Sequence, residues 1–136
     1  MKINKIIIAE PSPIISSGLL KYLEDINQLN IVSIVDNIDD LKDKMIIHNP
    51  DMLIINPLVL GYSNHSLIKQ FIQNNPSTYF IALISTYIDK SFLKYFKEII
   101  ELNETKQKVV NKIINLINNS DESSSQAESF DLSNRE

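Results

Sequence analysis

Three polar residues of this 136-residue chain each close a short apolar run. Glu10 follows Lys5-Ile6-Ile7-Ile8-Ala9, Asn56 follows Met52-Leu53-Ile54-Ile55, and Ser85 follows the run at 79–84. Short apolar runs bounded by turn residues suit strands buried on both faces of a parallel sheet. In an open α/β sheet, ligands and chemistry gather at the carboxyl edge of such strands. A carboxylate, a carboxamide and a hydroxyl therefore converge on one edge. Glu10 can hold a cation, and Ser85 can donate or accept a hydrogen bond. Asn56 has no anionic oxygen and is no nucleophile. Each residue also has a purely structural use: Asn56 as a strand-end turn residue, Ser85-Thr86 satisfying backbone groups, and Glu10 as a solvated carboxylate near a helix start.

Other chemistry is excluded by composition. There is no cysteine, hence no thiol or disulfide. His48 and His65 lack the close helical spacing of a zinc site and read as surface or boundary residues. A net charge of −4 gives no broad basic footprint for nucleic acid. No apolar run reaches the ~18 residues of a membrane span, so a cytoplasmic protein is expected. Apolar residues at 43% are ample for one core.

The elements that must position these residues follow from periodicity. Ser12 before Pro13 starts a helix, with Ile15, Gly18, Leu19, Tyr22, Leu23 and Ile26 on its inner face. Residues 31–35 read as a second strand. Asp39 and Asp40 open a helix with Leu41, Met45 and His48 inward, and Asn49-Pro50 ends it. A third helix carries Leu67, Ile68, Phe71 and Ile72. A short helical segment at 89–96 precedes a fifth strand, Ile99-Ile100-Glu101-Leu102, at the sheet edge. Thr105 caps a last helix with Val109, Val110, Ile113, Leu116 and Ile117 inward. Five strands alternating with five helices predict an α/β doubly wound parallel sheet, order 2-1-3-4-5, the flavodoxin-like architecture.

Two stretches carry a closer likeness. Ile7-Ile8-Ala9-Glu10-Pro11-Ser12-Pro13 with Gly18-Leu19, and Asn49-Pro50-Asp51 leading into Leu53-Ile54-Ile55-Asn56 and Gly61, resemble the receiver domain of response regulators, the CheY-like family. The resemblance covers residues 3–118. It implies a pocket in which two acids after strand one hold Mg²⁺, and an Asp ending strand three accepts a phosphoryl group from a histidine kinase. A Ser or Thr ending strand four and a Lys ending strand five complete it. Carried over, Glu10 is the first acid and Pro11 fills the second acidic position. Asn56 replaces the phosphoacceptor, Ser85 is the hydroxyl, and Leu102 stands where the Lys belongs.

The pocket is thus degenerate. A carboxamide cannot form the acyl phosphate, and one carboxylate is a poor Mg²⁺ site. A phosphoryl group would also lack its positive clamp. Pro57 has no N–H to close a succinimide, so Asn56 is not expected to deamidate to Asp. No cofactor is expected, Mg²⁺ binding should be weak or absent, and no catalytic activity is expected.

From Ser120 the sequence turns polar, acidic and serine-rich, a linker composition over 119–136. Leu132-Ser133-Asn134-Arg135-Glu136 then resembles the opening of a LuxR-type helix-turn-helix. The expectation is a phosphorylation-independent receiver domain at the N-terminal end of a longer transcription regulator. It would act through a homodimer or a protein partner and meet DNA only through a C-terminal module. The last helix's apolar stripe and residues 88–95 are candidate contact surfaces. A stand-alone pseudo-receiver adaptor is the alternative. A flavodoxin-like nucleotide-binding protein fits less well, because in Glu10-Pro11-Ser12-Pro13 two prolines remove backbone donors and the glutamate repels phosphate.

Overall fold

The computed structural model describes residues 2–61, 65–85 and 90–130. Two compact units make up the chain, one reaching to Glu104 and the second beginning at Thr105. In the first, β1 (Asn4–Ala9), β2 (Leu29–Val35), β3 (Met52–Ile55), β4 (Tyr79–Ile84) and β5 (Glu98–Glu101) pair in parallel. Their order is β2-β1-β3-β4-β5, as the alternation of elements predicts. The connecting helices are α1 (Pro13–Leu23), α2 (Ile38–His48), α3 (His65–Gln73) and α4 (Lys90–Leu93), and α5 (Lys106–Phe130) forms the second unit.

Burial follows strand position. Central β3 is buried at all four residues, whereas the edge strands β2 and β5 are mostly half-exposed. This is why the runs at Ile54 and Ile81 are unbroken while β5 begins and ends on Glu. One face of the sheet presents Ile7, Ala9, Leu53, Ile55 and Phe80 to a core completed by Leu41 and Met45 of α2, Ile68 of α3 and Phe92 of α4. Phe71 and Phe80 meet edge to face at 5.8 Å, a preferred aromatic geometry. The alternate residues Ile6, Ile8, Ile54, Ile81 and Leu83 are equally buried on the other face.

Helix ends follow local chemistry. Ser12 caps α1, its Oγ accepting from Ile15 N at 3.4 Å, with Pro13 in the first turn. Asn37 caps α2 through Asp40 N at 2.9 Å, so the helix starts at Ile38, one residue before the expected Asp39, and Asn49 closes it in the left-handed region at φ 43°. Leu41 and Met45 are buried as expected and His48 is half-buried. In α5, Lys108 N donates to Thr105 Oγ1 at 3.2 Å.

The structure corrects several expectations. The buried face of α1 is Ser16, Leu19 and Leu23, so Gly18 lies on the exposed side with no atom within 4 Å of a built Cβ. Ser16 can be inside because its hydroxyl donates to Pro13 O at 3.3 Å. Strand β5 ends at Glu101, one residue before Leu102. Helix α5 continues to Phe130, through residues where the composition predicts an irregular linker. That stretch has no Gly or Pro, and its Glu, Gln and Ala are good helix formers. The apolar stripe of α5, a candidate contact surface that could equally be core, is buried at Val109, Ile113, Leu116 and Ile117. Likewise Phe92 is buried and Leu93 and Tyr95 pack on the core, while Ile88 lies outside the described residues. Among the described residues no helix is long and apolar enough to cross a membrane.

Gly18 tests the helix register. Its backbone is helical and its surroundings open, so Gly18→Ala should raise stability by about 0.5–1 kcal/mol, measured by urea unfolding. A loss of stability would place the position on the packed face.

Candidate functional site

The sheet register brings the candidate residues together. Ala9 pairs with Ile55, and Asn56 N donates to Ala9 O at 2.9 Å, so Glu10 and Asn56 leave adjacent strands side by side. Strand β4 lies on the other side of β3, with Ile55 paired to Ala82, and Ser85 follows its last residue. Glu10, Asn56 and Ser85 meet at one edge, as the topology predicts. Thr86 and the first residue of the expected fourth helix, Asp89, lie outside the described residues.

Glu10 is not a solvated carboxylate. It is only 3% exposed, as is Asn56. A carboxylate removed from water requires donors, and Glu10 has two. Asn56 Nδ2 donates to Oε1 at 2.9 Å, and Ser12 N donates to Oε2 at 2.8 Å. The second donor belongs to the capping residue of α1, so the negative charge lies at a helix start, where it is favoured.

Asn56 is engaged at every polar atom. Its Nδ2 donates to Ser85 Oγ at 2.8 Å as well as to Glu10, and its Oδ1 accepts from Leu58 N at 3.0 Å. The reverse orientation of the amide would set Oδ1 against the carboxylate and Nδ2 against the Leu58 N–H, leaving repulsion at both ends. The network therefore fixes which end is which. Leu58 belongs to a 3₁₀ turn, Pro57–Leu60, that Asn56 caps and Gly61 closes at φ 68°. Asn-Pro is the sequence signal for this turn.

The remaining positions supply nothing. Pro11 is exposed and has no side-chain ligand atom. Because Ile84 pairs with Glu101, Leu102 is the next residue beside Ser85, and it is apolar and 48% exposed. A cavity of about 330 Å³ beside Glu10 is lined also by Asp36 and Asp40 and by no Lys or Arg. An approaching phosphate would meet carboxylates there. Neither His48, half-buried at the end of α2, nor any group of three His, Asp or Glu among the described residues offers a metal site.

Mg²⁺, which the receiver resemblance implies, does not fit these residues. It takes near-octahedral oxygen ligation, commonly through one or two carboxylates. Here both oxygens of the buried carboxylate, Glu10, already accept hydrogen bonds, and so does Asn56 Oδ1.

No protein-family model and no curated protein matches this sequence. Solved structures do. The isolated receiver domain of RcsB from Salmonella enterica serovar Typhimurium, determined with the phosphomimetic BeF₃⁻, is similar with a TM-score of 0.74 and 21% identity over 86% of this chain and 90% of that one. The signal receiver domain of the response regulator NarL from Mycobacterium tuberculosis gives a TM-score of 0.70 at 12% identity, covering 85% of this chain and 97% of that one. RcsB bound to promoter rprA gives 0.76 at 22% identity, with 86% of this chain matched to 61% of that regulator. The fold of this chain is the α/β receiver fold of response regulators, NarL/LuxR-type regulators among them.

The contact between Glu10 and Asn56 makes the site's chemistry testable. Asn56→Asp would remove both Nδ2 donors and set a second carboxylate where 2.9 Å now separates Nδ2 from Oε1. In the presence of a chelator the variant should be less stable by about 1–3 kcal/mol, with Mg²⁺ recovering part of the loss. Unfolding in urea with and without Mg²⁺ measures both. An undiminished stability would mean that the two side chains do not share the buried contact.

Proposed function

We propose that this chain is a receiver-type regulatory domain that works without phosphorylation, through contact with a second copy or another protein, and that it governs a C-terminal DNA-binding module. The observation that carries this reading is the state of Asn56. It occupies the phosphoacceptor position of a receiver fold, has no nucleophilic oxygen, and has every polar atom engaged by Glu10, Ser85 and Leu58.

The rest of the pocket supports the same reading. Pro11 and Leu102 replace the second acid and the Lys, so neither a cation nor a transferring phosphoryl group would find its charge partner. The DNA-binding part of the proposal has two supports. One is the likeness to RcsB, which was solved on a promoter and of which this chain spans 61%. The other is Leu132-Ser133-Asn134-Arg135-Glu136, which resembles a helix-turn-helix start and lies outside the described residues. The domain would act by setting the spacing of two DNA-reading modules, which in helix-turn-helix dimers follows half-site spacing. Residues 1–118 would form the regulatory domain and 119–136 the connection to the reading module, here begun as helix in α5. A site in the cytoplasm, where DNA is met, belongs to the same reading.

Incubation with acetyl phosphate and Mg²⁺ should leave the intact mass unchanged, and light scattering should give the same oligomeric state before and after. A stable gain of one phosphoryl group would overturn the proposal.

A further inference from the structure

Three strand ends meet at a single side chain. The carboxamide of Asn56, just after β3, reaches Glu10 just after β1 and Ser85 just after β4 with its two N–H groups. Its oxygen holds Leu58 N of the following 3₁₀ turn. Asn56 is 3% exposed, so water is a poor substitute for any of these partners. Hydrogen bonds that share one rigid planar group polarise and orient one another. Loss of one arm lets the amide plane rotate, which misaligns the others.

Resting on the reading that this pocket accepts no phosphoryl group, we propose that Asn56 is an internal brace. Its carboxamide holds Ser85 at the site and the 3₁₀ turn in place. Asn56 is thus a positioning residue, and β1, β3 and β4 are coupled at their carboxyl ends in the ligand-free chain. The coupling is one-sided in chemistry: Asn56 supplies both donors, and Glu10 and Ser85 are acceptors only towards it. The consequence reaches across strands. A change at Ser85 after β4 alters the hydrogen bond of Leu58 N beyond β3, although no hydrogen bond joins Ser85 to Leu58 directly.

Amide hydrogen exchange on the full chain tests this without any phosphoryl donor. Ser85→Ala removes one arm and leaves Asn56 in place. Exchange at the Leu58 N–H should accelerate about three- to tenfold, the range expected for one hydrogen bond. Ser85→Thr, which keeps the hydroxyl, should restore the native rate. Asn56→Ala removes all arms at once. Adding Ser85→Ala to it should change Leu58 exchange no further, so the two substitutions should be strongly non-additive. An unchanged Leu58 rate in Ser85→Ala, or additive effects in the double variant, would overturn the brace. That failure would leave the phosphorylation-independent reading standing, whereas a mass gain with acetyl phosphate would remove that reading and leave the coupling intact.

Discussion

A carboxylate that is taken out of water must be given donors, and the carboxyl edge of this sheet is organised around that requirement at Glu10. One donor is backbone, from Ser12, and comes with the start of α1. The other is the amide of Asn56, and it cannot be exchanged for a carboxylate without setting two negative groups in contact. The identity of residue 56 is therefore bound to that of residue 10. The amide holds the Glu10 carboxylate by a hydrogen bond and adds no second charge to the edge.

Much of the architecture was legible in the chain because burial is written in apolar runs. Central strands such as 52–55 and 79–84 are continuous, and the limits of the apolar runs are the limits of the strands. Legibility failed where position rather than composition decides. Strand β5 lies at the edge, half-exposed and flanked by Glu, so its end slipped by one residue at Leu102. Periodicity puts Gly18 on the inner face of α1, whereas a serine that bonds its own helix backbone sits inside. Ser16 is polar by type and satisfied by geometry, and periodicity sees only the type. Helix α5 runs on through a serine-rich stretch because nothing in 119–130 breaks a helix once it has started.

The site was legible in a different way. Each of Glu10, Asn56 and Ser85 announced itself as the polar stop of an apolar run, and strand order alone places the three together. What the sequence did not disclose was the direction of their hydrogen bonds. Glu10 read as a solvated carboxylate, yet it is as buried as Asn56. The signal was present in Ser12: a capping residue two positions after a glutamate has a free N–H close enough to be claimed by it.

The inclusion of a ligand-like group within the polypeptide has a further bearing, on time. A phosphoryl group is hydrolysed and an ion dissociates, and those rates fix how long a signal persists after its source is gone. Asn56 has neither a hydrolysis rate nor an off-rate. If the domain's state is set by that side chain, its output has no half-life of its own. The duration of any response must then come from how long a protein partner stays bound and how quickly the polypeptide is synthesised, diluted and degraded, and its strength from copy number.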